Sequence, residues 1–376
     1  MTDVLDDLRS VHSIDELRCR AEQRMPADIR DFVTGGSESE QTLAANRAAL
    51  DGVRLVPRVM VDVDRVHCGA TLFGRPASAP MAVAPMAYQR LVHPDGELAS
   101  ARAAAAAGIP FTATTLSSVP VEWITATGAD TWFQLYWLRD RALMRKLIRR
   151  AEAAGCAALI LTVDAPVMGR RLRDMRNGFA VPDTVRAVHL PEEARGPAHL
   201  RRAGASAVIA HTEDLFDPGL CWSDLGWLRD NTRLPLVLKG VLDSRDAALA
   251  AAFGIDAVIV SNHGGRQLDG AISSIDALPG VVEAVDGNCE VLLDSGIRCG
   301  TDVLRALALG ARAVLIGRPV LWGLTLAGAD GVEWTLSLLR QQLHTAMRLA
   351  GCPDLASAAN LGTRTVTPSW DVVMFE

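Results

Sequence analysis

Short runs of apolar, often β-branched residues recur along the chain at 81–85, 111–114, 132–136, 158–164, 234–240, 257–262, 290–295 and 313–318. Each is bounded by turn-forming residues and predicts a buried strand. Several are introduced by one phrase, an alanine- or leucine-rich segment, a glycine and then the run: AAAAAGIPFTA, AEAAGCAALIL, AAFGIDAVIV and ALALGARAVLI. A helix that ends at a left-handed glycine and turns into a strand produces this phrase, because glycine has no Cβ to clash there. In RDRALMRKLIRRAEAAG, Leu143, Met144, Leu147, Ile148 and Ala151 share one helical face while arginines take the other.

Strand, helix, glycine and strand in repetition predict a parallel sheet with crossover helices. Eight such units between residues 81 and 318 fit a closed (β/α)8 TIM barrel of about 250 residues better than an open doubly wound α/β sheet. The doubly wound alternative also lacks a G-x-G-x-x-G turn after an early strand. One domain is therefore expected over 1–376, with the barrel at 81–318 and a C-terminal helix and tail at 319–376.

The extension at 1–80 reads as acidic and helical at its start. It carries helix patterns at 14–24, 26–34 and 40–50 and a hairpin-like VHCGATLFGRPA, and is expected to close the bottom of the barrel. Between the fourth and fifth strands, 165–233 forms a connection of roughly 70 residues, a length that is usually functional or disordered. It is either a lid above the fourth strand's C-terminal end, where barrels build active sites, or a surface insertion without a catalytic part. In the tail, Val332, Leu336, Leu339, Leu343 and Met347 share a face suited to a last barrel helix or a subunit contact.

With 49 % hydrophobic and 22 % charged residues, the chain buries a large core. A net charge of −6 without a basic stripe gives nucleic acid and anionic membranes no electrostatic footprint. The seven cysteines are scattered without a C-x-x-C pair, so neither a disulfide framework nor a metal site is expected. No signal peptide and no run of about 18 apolar residues occurs, and a cytoplasmic protein is expected.

Reacting groups of barrel enzymes stand at strand C-termini. Those positions hold Gln134 and Tyr136 on the third strand, Asp164 on the fourth with Arg170 and Arg171 beyond it, Lys239 on the fifth, and SNHGGRQLDG after the sixth. Of eight histidines, His263 alone follows a strand end directly within a polar, glycine-rich turn, which makes it the candidate base. A carboxylate that orients an imidazole raises its basicity, and Asp164 is the candidate for that role. Arginine grips a carboxylate at two points, so Arg171 and Arg266 are candidates to pin an organic acid while His263 takes a proton. Taken singly, each has a plain structural reading as a packed histidine or a solvated arginine.

DSGIRCGTDV and LIGRPV follow the seventh and eighth strands, where barrels hold a phosphate on backbone N–H groups and a helix N-terminus. Gly296, Arg298, Gly317 and Arg318 are candidates for that phosphate, and Asp294 for accepting hydrogen bonds from a polyol. Lys239, one of two lysines, ends the apolar run LPLVLK. A buried ammonium needs a negative partner, which an anionic reduced flavin or an ion pair with Asp164 supplies; a Schiff-base role is the third alternative.

The run Ser261-Asn-His-Gly-Gly-Arg-Gln-Leu-Asp269 resembles the FMN-dependent 2-hydroxy acid oxidases and dehydrogenases, the glycolate, lactate and mandelate enzymes. Gln134-Leu-Tyr136, Thr162-Val-Asp164, Gly169-Arg-Arg171, Leu238-Lys-Gly240, Asp294-Ser-Gly-Ile-Arg298 and Gly317-Arg-Pro319 carry the same likeness over nearly the whole chain. The resemblance implies a (β/α)8 barrel, one non-covalent FMN per subunit, oxidation of an (S)-2-hydroxy acid to the 2-oxo acid, and a homotetramer. By position it implies His263 as base with Asp164 as its partner, Arg171 and Arg266 as the carboxylate clamp, and Tyr136 as a hydroxyl donor to substrate. It places Lys239 at the flavin N1 and C2 carbonyl side. Further flavin contacts fall on Pro85, Ala87, Thr114, Gln134, Thr162, Ser261, Asp294, Gly296, Arg298, Gly317 and Arg318.

Departures from the family pattern bear on substrate and acceptor. Phe32 stands where many members have a tyrosine, Leu116 where glycolate oxidases have a tryptophan, and Met168 is a flexible apolar lining. A roomier apolar pocket of this kind implies an aromatic acid such as mandelate or 4-hydroxymandelate, with lactate or glycolate as the alternative. Ala87 resembles the alanine of oxidases rather than the glycine of membrane mandelate dehydrogenases, and 165–233 lacks a membrane-binding segment. Dioxygen as acceptor and hydrogen peroxide as product follow, with a non-oxygen acceptor as the alternative. Met86 replaces a common threonine and so weakens one flavin contact. Two other classes compete: an FMN or sugar-phosphate isomerase barrel, and a binding barrel whose cofactor is not reduced.

Overall fold

The computed structural model of the chain describes Leu8 and residues 10–366. The helical reading of residues 1–7 lies outside the described residues. All eight predicted strands form: β1 (Met81–Val83), β2 (Phe111–Thr114), β3 (Thr131–Tyr136), β4 (Ala158–Thr162), β5 (Leu236–Val241), β6 (Ala257–Val260), β7 (Glu290–Leu293) and β8 (Ala313–Ile316). They are parallel and pair in chain order, and β8 returns to β1 to close the barrel. Closure leaves no open edge, and every residue of β1, β2, β4, β6 and β8 is buried.

Most strands stop short of their apolar runs. β4 ends at Thr162, so Asp164 stands just beyond it, where the chain leaves the ladder. β5 does not end at Lys239 but continues to Val241, with a register break between Lys239 and Val241 at Gly240, whose φ is +111°. A side chain at that φ would be strained, so glycine permits the break that turns Lys239 toward the barrel mouth. The helix-ending glycines are also found. Gly108 closes helix Glu97–Ala107 at φ +65°, its amide donating to the Ala104 and Ala105 carbonyls.

Only part of the N-terminal extension closes the barrel bottom. The hairpin Ala70–Leu72 with Arg75–Ala77 packs Leu72 and Ala77 against Trp132, Ala158, Ala257 and Ala313, which lie at or near the N-terminal ends of their strands. The helices Ala27–Thr34 and Gln41–Gly52 instead sit at the opposite, C-terminal face. Thr42 N–H donates to Asp269 and the Ser37 N–H to the Gly265 carbonyl, both in the loop after β6. Helical periodicity gives a face to bury but not the end of the barrel it covers.

The long connection after β4 is structured. It carries helices Leu172–Asn177 and Ala207–Leu215, and helix Asp224–Asp230 precedes β5. The tail face is internal: within helix Arg318–Ala350, Val332, Leu336, Leu339, Leu343 and Met347 are fully buried in this chain. Among the described residues no helix is long and apolar enough to cross a membrane.

Candidate active site

His263 and Asp164 meet across the top of the barrel. His263 Nδ1 lies 2.9 Å from Asp164 Oδ1, leaving Nε2 as the ring nitrogen free to face the cavity. His263 occupies a left-handed backbone at φ +59° and is followed by Gly264 at +68° and Gly265 at +73°. Such strain in a non-glycine residue costs about 1–3 kcal/mol and persists only where the surroundings impose it. Here Gly265 packs so tightly against helix Gln41–Gly52 that a Cβ would fall 2.6 Å from the Leu43 nitrogen. Burial pulls the His263 pKa below its ordinary value, and Lys239 and Arg171 add to that against the raising influence of Asp164. Burial thereby favours the neutral imidazole, the form in which a ring nitrogen can accept a proton. Burial by itself would raise the Asp164 carboxyl, but His263 and Lys239 outweigh it and hold the carboxyl below its usual range.

Asp164 keeps its position through a close approach. A Cβ at Gly240 would lie 2.4 Å from the Asp164 side chain, so only glycine fits beneath this carboxylate. Gln267 fixes the other side. Its amide nitrogen donates to the Asp164 and Val167 carbonyls, both at 2.8 Å, and its oxygen accepts from Gly169 N–H at 3.0 Å. One side chain thus joins the loop after β6 to the start of the long connection. Sequence reasoning gave Gly240 and Gln267 no role, although both lie in quoted motifs.

Two guanidiniums converge on the same cavity. Arg171 and Arg266 lie over the Phe32 ring, at 5.7 and 5.2 Å from its centroid, and Phe32 stacks on Phe179 at 4.4 Å. Arg266 Nη1 donates to the Phe32 and Gly35 carbonyls. Burial pulls both pKa values down, Arg266 further because Arg171 and Arg318 lie near it. The pair wants an anion between its members. Asp174, which sequence reasoning missed, lies 3.8 Å from Arg171 and is fully buried; burial raises its pKa against the pull of Arg171. Tyr136 stacks on Phe216 of the long connection at 4.3 Å and lines the cavity, its pKa raised by burial.

The cavity is about 1270 Å³ including its open mouth. Phe32, Leu116, Tyr136, Met168, Arg171, His263 and Arg266 all line it, as do Pro85, Ala87, Thr114, Gln134, Thr162, Lys239, Asp294, Gly296, Arg298, Gly317 and Arg318. Asp164 stands behind His263 rather than on the wall. Ser261 is also absent from the wall: fully buried, it accepts from Lys239 Nζ at 3.0 Å and from His263 N–H at 3.0 Å. The Lys239 ion pair is with Asp294, at 3.2 Å, and not with Asp164. Asp164 is turned to His263, whereas Asp294 leaves β7 beside the ammonium. The Lys239 pKa, pulled down by burial, is raised on balance by Asp294 and Asp164.

A family description, FMN-dependent dehydrogenase, matches residues 21–364. The chain belongs to this FMN-dependent family. The 4-hydroxymandelate oxidase of Amycolatopsis orientalis is 53 % identical over 94 % of this chain and 98 % of its own length. The L-lactate oxidase of Nostoc is 48 % identical over 86 % of this chain and 90 % of its own. Among solved structures, mandelate oxidase with (S)-4-hydroxymandelic acid superposes with a TM-score of 0.92 at 52 % identity, covering 94 % of this chain and 99 % of that one.

The cavity of this FMN-dependent enzyme has the donor set an FMN requires. Arg298 and Arg318 form no ion pair with a described carboxylate. Arg298 Nη1 donates to the Ile297 carbonyl and its guanidinium lies over Trp322, while Arg318 donates to the Val33, Gly264 and Gly35 carbonyls. Burial pulls the first to about 9, aided by Arg318, and the second to about 10, aided by Arg171. Two half-buried guanidiniums whose hydrogen bonds all go to carbonyl oxygens are suited to a phosphate. Arg318 also opens helix Arg318–Ala350, whose free N–H groups favour an anion. Toward β3 and β4, the Gln134 amide donates to the Thr162 hydroxyl at 2.8 Å, presenting polar edges suited to a flavin pyrimidine.

Proposed function

We propose that the chain oxidises an aromatic (S)-2-hydroxy acid, mandelate or 4-hydroxymandelate, to the 2-oxo acid with dioxygen as acceptor. It is an FMN-dependent 2-hydroxy acid oxidase. Bound FMN supplies the two-electron acceptor. Arg171 and Arg266 grip the substrate carboxylate, Tyr136 donates to the hydroxy group, and His263 takes a substrate proton on Nε2. Asp164 holds the imidazole in orientation and stabilises it once protonated. Two protons and two electrons leave the substrate, and dioxygen takes them to become hydrogen peroxide. Arg298 and Arg318 hold the phosphate of FMN with the Gly296 and Gly317 turns, Asp294 the polyol, and Lys239 the N1 edge. Pro85, Ala87, Thr114, Gln134 and Thr162 contact the ring, with Ser261 acting through Lys239.

The observation that carries the aromatic reading is the apolar wall beside the clamp. Phe32, stacked on Phe179, together with Leu116, Met168 and Val208, gives an apolar face wide enough for a phenyl ring. Similarity to 4-hydroxymandelate oxidase supports the same reading. One domain over the whole chain, a cytoplasmic location and a homotetramer belong to it as well. The first is supported by the barrel with its N-terminal cover, the second by seven unpaired cysteines, the third by family resemblance.

The test is anaerobic bleaching of the FMN-loaded protein with (S)-mandelate, (S)-4-hydroxymandelate, (S)-lactate and glycolate, followed by peroxide release in air. Bleaching by the aromatic acids at the lowest concentrations is expected. Bleaching by glycolate alone overturns the pocket reading, and bleaching without peroxide overturns dioxygen as acceptor.

A further inference from the structure

The last part of the long connection runs back along the exit of β3, the strand that ends at Tyr136. Arg139 N–H donates to the Leu215 carbonyl and Asp217 N–H to the Trp137 carbonyl, both at 2.9 Å, which closes an antiparallel bridge between Leu138 and Phe216. Arg141 clasps this bridge: it pairs with Asp217 at 2.5 Å and lies over the Trp137 ring at 4.0 Å. Phe216 is thereby set against Tyr136, the ring centroids 4.3 Å apart and the planes 23° from parallel. Phe216 is 2 % exposed and is not on the cavity wall, whereas Tyr136 is.

Hydrogen bonds do not hold the Tyr136 phenol. Its N–H donates to the Thr115 hydroxyl at 3.3 Å, but its side chain hydrogen-bonds to no described residue. Burial raises the pKa of this phenol, and Lys239, Asp164, Arg171 and Arg266 also act on it, which sets it among the charges of the site. The χ2 torsion of a tyrosine is broad, so a phenol without a hydrogen bond keeps its place through what its ring packs on. A stacked ring restrains the plane and the spacing of its partner together. We infer that Phe216 is a positioning residue: through the stack it holds the Tyr136 hydroxyl in place to donate to the substrate hydroxy group, and the long connection completes the site in this way. This rests on the role given to Tyr136 above. Placement has consequences for rate, because a displacement of about 1 Å in a reacting geometry can cost about 10²-fold.

The test is a double-variant cycle on the FMN-loaded enzyme, read as the rate of anaerobic flavin reduction by saturating (S)-mandelate. Phe216→Leu is expected to slow reduction about tenfold or more in the wild-type background, and by less than about twofold in Tyr136→Phe, where the hydroxyl it positions is gone. Equal losses in the two backgrounds mean that Phe216 serves packing alone and overturn the inference, as does reduction by Phe216→Leu at the wild-type rate. Where Phe216→Leu does not yield FMN-loaded protein, Asp217→Asn takes its place. It loosens the clasp outside the core and is expected to slow reduction about two- to fivefold with Tyr136 present and not in Tyr136→Phe; no change with Tyr136 present, or the same change without it, overturns the inference. A Tyr136→Phe enzyme that reduces as fast as the wild type overturns the role of Tyr136 and the inference with it, a result distinct from equal losses across the cycle.

Discussion

His263 and Asp164 are 99 positions apart in the chain and 2.9 Å apart in space, joined through Nδ1. This pairing sets the expected pH dependence. In its proposed role as base His263 acts when neutral, and burial holds its pKa below the usual histidine value despite Asp164. The acid limb of kcat/KM is therefore expected below pH 6.5, with activity rising through the His263 pKa and level above it. Asp164→Asn removes the negative charge that raises that pKa, so the limb moves to lower pH while the plateau falls about 10²-fold or more. His263→Ala is expected to lose about 10²–10⁴-fold in reduction rate while keeping FMN absorbance. A limb that moves to higher pH in Asp164→Asn contradicts the assignment.

Gly240→Ala places a methyl 2.4 Å from the Asp164 side chain at a φ of +111°. Loss of about 1–3 kcal/mol of stability is expected from the backbone alone, together with a slower reduction step as Asp164 is pushed from the imidazole. Thermal unfolding and single-turnover reduction measure the two effects, and a variant that matches the wild type in both rules out the close approach.

Gln267→Ala deletes three hydrogen bonds that join Asp164, Val167 and Gly169 to the loop after β6. Each is worth about 0.5–1.5 kcal/mol, so the start of the long connection should open more often. Faster hydrogen exchange at 164–171 and a raised KM, with FMN still bound, are the expected readouts; unaltered exchange there contradicts the role.

Arg298→Met removes a half-buried guanidinium that, among the described residues, donates only to the Ile297 carbonyl. Charge-assisted hydrogen bonds contribute about 1.5–3 kcal/mol, so FMN affinity should fall about 10- to 150-fold. FMN at 100 times its Kd stabilises a protein by about 2.7 kcal/mol, and the variant should need correspondingly more FMN to reach the same Tm shift. Titration of flavin-free protein by fluorescence quenching decides this, an unchanged Kd being the contrary outcome.

The eight strands, their helices and the left-handed glycines were legible in the chain, because period, propensity and a Cβ-free turn act over a few residues. His263, Arg171, Arg266 and the Arg298 and Arg318 turns were legible as well, since polar residues at the ends of apolar strands have few places to go in a parallel barrel. What only the tertiary structure decided was which distant groups meet. It paired Lys239 with Asp294 instead of Asp164, set Ser261 behind the wall, and carried the N-terminal helices to the mouth while the hairpin alone plugged the bottom. It also supplied Asp174 behind Arg171 and Gly240 beneath Asp164. Local sequence dictates backbone shape because its interactions span one turn or one strand. Pairing of buried charges depends on barrel closure, which brings strand ends together irrespective of their separation along the chain.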